Sequence, residues 1–322
     1  MAPTRRQVVV GGAVAAGAAA TAIAVTERRA VTRWDRVPDP WAEEPTAIDG
    51  DEQLVASSDG AMLGVVTAGQ GPSVVLAHGF TGTADHLAPI ATRLVDRGVR
   101  VVTFDQRGHG RSDSGPGGYG AEQLGHDLDA VLTAAAPDGA VLVGHSMGGI
   151  SIQAWLAEHA DRVHLAQGLV FVATLSHTVS SPLGRLMRRL GGTPLARWTM
   201  SHPVHGRVLA RGGLGKVPST TLLDVVRHGW TESPDATRAG VMRDLRDFDF
   251  AETLRGVRVP TVIICGLLDQ VTPLAESERI AGLVPHARLE VVPDAGHEVT
   301  WEAADRIVDA VVSLTHPTGG NP

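Results

Sequence analysis

The chain has 322 residues, 43% of them hydrophobic and 20% charged, so it can bury a sizeable core and is not disordered by composition. Its single cysteine, Cys265, excludes an internal disulfide framework and any cysteine-based zinc site. The formal net charge is −7, and the basic first 30 residues leave the remainder more negative still; a general nucleic-acid binder would need a basic face.

Arg5 and Arg6 precede an apolar run from Val8 to Val25 that is rich in Ala and Gly. As a helix this run would extend about 27 Å, close to the hydrocarbon thickness of a bilayer. The paired arginines resemble a twin-arginine export signal, and Ala22-Ile23-Ala24 offers an A-x-A cleavage site. Arg28, Arg29, Arg33 and Arg36 follow the run, so an uncleaved anchor with membrane association stands as the alternative. Either is expected over a cytoplasmic location. Pro38, Pro40 and Pro45 among acidic residues read as a linker, which places residues 1–47 outside the fold.

Beyond residue 47, Gln53–Ser57 and Ala61–Ala68 flank Asp59-Gly60 and predict a hairpin. Ser73–His78, Val99–Asp105, Ala140–His145 and Leu169–Ala173 are short apolar runs, as expected of strands buried on both faces. Helical patterns at His86–Arg97, Ala121–Ala135 and Met147–His159 separate them. Strands alternating with helices predict βαβ units and a mostly parallel sheet with helices on both faces. The alternation stops near Thr174. Residues 175–250 show no convincing strand, and their helical stretches break at Pro182, Pro194, Pro203, Pro218 and Pro234. It resumes with Pro260–Leu267, a helix near Ala275–Val284, the strand Ala287–Val292 and an amphipathic helix over Thr300–Leu314. One α/β core, residues 48–174 and 251–322, with a helical cap inserted over 175–250, accounts for this order.

The chemistry centres on Gly144-His-Ser146-Met-Gly148-Gly149, which follows a predicted strand and opens a helix. A serine on such a strained strand-to-helix turn is pushed out of the sheet edge as a nucleophile, and glycines are required where strand and helix backbones meet. Its hydroxyl needs a base, and the base needs an orienting carboxylate. In the order serine, acid, histidine, Asp269 follows the strand ending near Ile264, and His297 follows the strand ending near Val292. Parallel strands deliver both loops to the edge where Ser146 emerges. Asp294 is the competing acid, though close to His297 in sequence; the stretch after Ala173 offers none. The expected oxyanion hole combines the N–H groups of Met147 and Phe80, the latter in His78-Gly79-Phe80-Thr81-Gly82, where Gly79 lets the backbone turn and His78 supports the loop.

GHSMGG, HGFTG, DQRGHGRS (105–112), GLLDQVTP (266–273) and DAGHE (294–298) together resemble the α/β-hydrolase superfamily, and most nearly its actinobacterial monoacylglycerol-lipase, carboxylesterase and perhydrolase-like branch. The resemblance spans about residues 50–315 and is more specific for fold than for substrate. It implies that Asp105 and Arg107 form a structural turn. The acid loop departs from it, reading Gly-Leu-Leu-Asp269 where relatives usually carry a polar residue before the Asp.

Other signals carry less. GPGGYG (115–120) follows no strand, Gly212-Gly-Leu-Gly-Lys216 lacks P-loop spacing, and His202-x-x-His205 has no third ligand nearby, so no cofactor and no metal are expected. Trp198, Met200, Trp230 and Phe248 are candidates for an acyl pocket under the cap. The expected activity is hydrolysis of short- to medium-chain or monoacylglycerol-like carboxylic esters through an acyl-serine, with a small acyl ester as substrate. Acyl transfer, perhydrolysis or C–C bond hydrolysis by the same triad is the alternative, and a ligand-binding module on a hydrolase scaffold is a third reading.

Overall fold

The computed structural model describes residues 24–178 and 189–315. Its strands are β1 (Asp51–Ala56), β2 (Met62–Ala68), β3 (Ser73–Ala77), β4 (Arg100–Phe104), β5 (Ala140–His145), β6 (Ala166–Val172), β7 (Thr261–Gly266) and β8 (Arg288–Val292). They form one eight-stranded sheet in the order β1-β2-β4-β3-β5-β6-β7-β8. The β1–β2 and β2–β4 pairs are antiparallel, and every pair from β4 to β8 is parallel.

Period-two alternation in the central strands divides the core. Val75, Ala77, Leu142, Leu169, Phe171 and Ile263 face one side. There they meet helices α2 (Ala121–Ala135) and α3 (Met147–Glu158), which follow α1 (Ala88–Asp96) in the chain. Val74, Leu76, Val141, Val143, Val170 and Ile264 face the other side, against α1 and the last helix of the chain. Burial on both faces is why these runs are continuously apolar instead of alternating with polar residues. The fold is that of an α/β hydrolase.

Between β6 and β7 the chain builds a helical layer: α4 (Pro194–Ser201), α5 (His205–Ala210), α6 (Thr220–Glu232) and α7 (Asp235–Asp244), then α8 (Ala251–Gly256) beneath the sheet. Of the prolines that read as breaks, Pro182 lies outside the described residues, Pro203 sits in the turn between α4 and α5, and the other three mark helix starts. Pro194 occupies the first turn of α4 behind the Thr193 cap, Pro218 precedes the Ser219 cap of α6, and Pro234 caps α7. Beyond β7 come α9 (Leu274–Leu283), α10 (Val299–Glu302) and α11 (Ala304–Thr315). The single terminal helix expected over Thr300–Leu314 is therefore two, parted at Ala303, whose backbone leaves the helical region with φ −144°.

The arginine pair and most of the apolar run lie outside the described residues. The end of that run and the linker expected behind it do not stand apart from the fold. Residues 24–34 are helical, and Trp34 and Trp41 pack on Ala210, Leu214, Leu222, Leu223 and Trp301. Asp39 accepts hydrogen bonds from Ser219 Oγ at 2.7 Å, Thr220 Oγ1 at 3.0 Å and the Thr221 N–H at 2.8 Å, at the start of α6. Glu27 pairs with His205, Asp35 with Arg207 and Glu44 with Arg93. Acidic, proline-spaced sequence looks solvated until its partners are supplied, and here α1, α5 and α6 supply them. Among the described residues no helix is long and apolar enough to cross a membrane.

Burial alone would raise the Asp39 carboxyl, but its donors outweigh that and hold it at about 2. Its contribution to stability is therefore present above the ordinary carboxylate range and lost as the pH falls toward 2. Asp39→Ala is expected to cost about 1–2 kcal/mol, seen by thermal denaturation as a Tm drop of roughly 2–8 °C at neutral pH. The gap between variant and parent should close in acid.

Candidate active site

Ser146 follows β5 directly, with φ 51° and ψ −113°, a region that L residues rarely adopt and that costs about 1–3 kcal/mol. The surroundings enforce it. The Ser146 N–H donates to the Val172 carbonyl at 2.9 Å, extending the β5–β6 ladder by one bond. The Ser146 carbonyl accepts from Thr174 Oγ1 at 2.6 Å and from the Gly149 N–H at 3.0 Å. A Cβ at Gly144 would stand 2.5 Å from the Gly148 backbone, one at Gly149 2.5 Å from Thr174 Oγ1, and one at Gly148 inside the Ala77 carbonyl. Gly79 is required for the same reason. A Cβ there would lie 2.9 Å from His145 Nδ1 and 3.2 Å from Ser146 Cβ. Its φ is not among the positive ones, so close approach, and not the backbone freedom expected of it, explains the glycine.

Asp269 and His297, from the loops after β7 and β8, meet: His297 Nδ1 lies 2.9 Å from Asp269 Oδ2. The carboxylate is fully engaged. Oδ1 accepts the N–H groups of Val271 at 2.7 Å and Thr272 at 2.9 Å, and Oδ2 accepts Thr272 Oγ1 at 2.7 Å. Burial would raise Asp269, but the charge and hydrogen bond of His297, with the Thr272 donors, keep it below the ordinary carboxylate range. Burial would likewise lower His297, and the Asp269 charge and hydrogen bond turn the shift upward. Asp294, the competing acid, points to solvent and pairs with Lys216 at 3.5 Å.

The link from His297 to Ser146 runs through the neighbour of the serine. His145 Nε2 donates to the His297 carbonyl at 2.9 Å, and the two rings sit 4.9 Å apart. Burial, reinforced by the charge of His297, lowers His145 to about 3, so it is a neutral donor across the physiological range. Ser146 Oγ itself makes no hydrogen bond among the described residues.

Phe80 and Met147 flank the same space. The Met147 N–H is the first of α3, where no intrahelical acceptor exists, and neither it nor the Phe80 N–H has an acceptor among the described residues. The Phe80 loop is pinned from behind: Thr81 N–H donates to His109 Nε2 at 3.2 Å, and Ala84 N–H to Asp105 Oδ1 at 2.7 Å. His78 is fully buried, bonding the Gly79 carbonyl at 2.7 Å and accepting the Gln106 N–H at 2.9 Å, a support for the loop as expected. Asp105 binds the Arg111 N–H and Nε, both at 2.9 Å, and Arg107 grips Asp127 through two bonds of 2.6 and 2.7 Å. These residues hold a turn.

Of the pocket candidates, Trp230 meets Phe80 edge to face at 5.8 Å, and Met200 is buried within the helical layer. Trp198 is 62% exposed, and Phe248 stacks on Phe250 against the core. His202 and His205 stack at 4.2 Å, but His202 Nδ1 accepts two backbone N–H groups and His205 Nδ1 lies 2.6 Å from Glu27. No group of three potential metal ligands occurs among the described residues. Thr272 and His145 lie inside the GLLDQVTP and GHSMGG motifs, and only their contacts reveal a part in the site.

A parallel sheet with a strained serine turn between β5 and α3, and an Asp–His pair on the β7 and β8 loops, defines a class of fold and site. The Alpha/beta hydrolase family model matches residues 74–310, and the chain belongs to that family. It is 32% identical over 266 residues to a protein named non-heme haloperoxidase from Rhodococcus erythropolis, covering 79% of this chain and 96% of that one. An esterase structure from Exiguobacterium antarcticum superposes with a TM-score of 0.73 at 21% identity, covering 82% of this chain and 99% of that one. A thermophilic esterase structure from Thermogutta terrifontis gives 0.69 at 25% identity, with 82% and 97% covered.

The upward shift of His297 places the acid limb of any reaction that needs its neutral imidazole above the usual value of 6.5. Asp269→Asn removes the cause. The acid limb of kcat/KM is expected to move to lower pH, and kcat to fall by roughly 10^4-fold, both read from a pH–rate profile.

Proposed function

We propose that this chain is a serine ester hydrolase in which Ser146 is the nucleophile, His297 the general base and then acid, and Asp269 the residue that orients the His297 imidazole. The observation that carries the reading is the 2.9 Å Asp269–His297 bond, with the His297 carbonyl held by His145 next to the strained Ser146 turn. In this mechanism Ser146 Oγ attacks the ester carbonyl carbon while His297 Nε2 takes its proton. Negative charge develops on the carbonyl oxygen, and the free N–H groups of Phe80 and Met147 receive it. His297 returns the proton to the leaving alcohol, then activates water to cleave the acyl-serine. Phe80 and Trp230 supply an apolar wall that suits short- to medium-chain acyl esters or monoacylglycerols.

A second outcome for the same acyl-serine is transfer to an acceptor other than water, including hydrogen peroxide to give a peracid. The haloperoxidase name of the 32% identical relative favours keeping it in view. On location, we infer export or membrane anchoring through the amino-terminal arginine pair and apolar run.

The test is turnover of p-nitrophenyl esters from acetate to palmitate by the full chain. A chain-length optimum is expected, with Ser146→Ala lowering kcat roughly 10^4-fold or more and abolishing labelling by a fluorophosphonate. Ester turnover retained by Ser146→Ala would overturn the mechanism. Competing hydrogen peroxide or alcohol in the assay, with product analysis, separates hydrolysis from transfer.

A further inference from the structure

The loop carrying His297 does not lie free against the core. Residues 213–216 of the helical layer run alongside it and pair with it backbone to backbone: His297 N–H donates to the Gly213 carbonyl at 2.6 Å, and Lys216 N–H to the Asp294 carbonyl at 2.8 Å. The approach leaves no room for side chains. A Cβ at Gly215 would stand 2.7 Å from Ala295 Cα and inside the Asp294 carbonyl; one at Gly296 would stand 2.6 Å from both the Gly213 oxygen and the Gly215 nitrogen. Of the glycines in the Gly212–Lys216 stretch that lacked phosphate-loop spacing, Gly215 is the one this contact requires; a Cβ at Gly212 or Gly213 would meet nothing within 4 Å.

One side chain closes the pairing. Glu302, at the end of α10, accepts the Gly215 N–H on Oε1 at 2.6 Å and the Gly296 N–H on Oε2 at 2.7 Å. Its two oxygens thus hold one donor from the helical layer and one from the residue immediately before His297. Arg211 braces the same segment from outside, its guanidinium donating to the Leu214 carbonyl at 3.1 Å and the Lys216 carbonyl at 3.3 Å. Leu214 is buried with Trp301, the neighbour of Glu302.

We propose that Glu302 is a positioning residue for His297, joining the 213–216 segment of the helical layer to the histidine loop so that the base is aligned only while that layer is docked. The inference rests on the role given to His297 above. A carboxylate accepts two convergent N–H donors, whereas its protonated form turns one oxygen into a donor and surrenders one of them. The charged groups around Glu302 are Glu298 and His297 on its own stretch, Arg211 from the turn after α5, and the exposed Lys216–Asp294 pair. Burial, helped by Glu298, raises Glu302 to about 7, against the lowering effect of the two N–H groups and Arg211. The clasp therefore loosens as the pH falls through the neutral range, in addition to the protonation of His297.

The test uses the full chain and an ester that the wild type turns over. Glu302→Gln keeps size and one acceptor but sets an amide N–H against a backbone N–H at every pH. Expected are a fall in kcat of roughly 10-fold or more, KM changed less than about threefold, and loss of one ionisation from the acid limb of the kcat profile. Gly215→Ala, which pushes the clasp apart from the other side, should lower kcat in the same way while retaining an ionisation near neutral pH. Wild-type kcat and an unchanged acid limb in Glu302→Gln would overturn the proposal. So would a loss of activity that follows the fraction unfolded and disappears at a temperature where the variant is folded. If Glu302→Gln fails to fold, Gly215→Ala decides: unchanged kcat refutes the clasp. Should Ser146→Ala keep ester turnover, the reading of the site fails; with Ser146→Ala inactive and Glu302→Gln like wild type, only the present inference fails.

Discussion

The structure depends on how closely the backbone around Ser146 can be packed. β5 must end, turn through a left-handed residue and start α3 while Ala77, Thr174 and the Phe80 loop press on it from three sides. Glycine at 144, 148 and 149 makes that approach sterically possible, and the bonds from Ser146 to Val172 and Thr174 hold the conformation once it is reached. The strain is offset by the sheet on which the turn sits. With the turn in place, the first N–H of α3 and the Phe80 N–H have no acceptor among the described residues, and the strand order β3-β5-β6-β7-β8 brings the remaining loops to the same edge.

Burial by itself would make every histidine near this edge a poor base. His78, His86, His109 and His145 are all pushed down by desolvation, and for His78 and His145 the outcome is about 3. His297 is desolvated too, yet it moves the other way, because a buried carboxylate lies 2.9 Å from its Nδ1. The Asp105 charge also favours protonated His78 but is outweighed by burial and the His109 charge, and no hydrogen bond joins the two: His78 Nε2 accepts the Gln106 N–H, which only the neutral nitrogen can do. One ring is thereby made easier to protonate than its neighbours, which serve as neutral hydrogen-bonding supports.

The helical layer is held to the core at several distinct places. Val241 of α7 packs with Tyr119, Leu124 and Met147; the segment 213–216 pairs with the histidine loop; and residues 24–47 strap α5 and α6 from outside. Within the layer, fully buried Arg238 ties its own turn together, donating to the Gly191 and Trp230 carbonyls and lying 5.9 Å from the Trp230 ring centroid. Trp230 in turn abuts Phe80. Packing changes in the layer therefore reach both Phe80 and the loop that carries His297.

Much of this was legible along the chain because the signals are local. Continuous apolar runs mark strands covered on both faces, and glycines flanking a serine mark a turn too tight for side chains. Asp269 and His297 could be placed because parallel strands all deliver their C-terminal loops to one edge. The contacts that escaped sequence reading join residues far apart in the chain. Asp39 meets Thr221, Gly215 meets Glu302, and His145 meets His297, and nothing in the composition of either partner announces the other. Proline-spaced acids read the same whether solvated or capping a helix, and Gly212–Lys216 reads the same whether it cradles a phosphate or lies against another loop. The sequence by itself determined the strand-and-helix order, the serine turn and the residues able to complete the site, since these follow from short-range sterics and periodicity. Only the tertiary structure decided which carboxylate faces which histidine and what holds the amino-terminal segment and the helical layer, because charge and hydrogen bonding act over ångströms in space and not over positions in the chain.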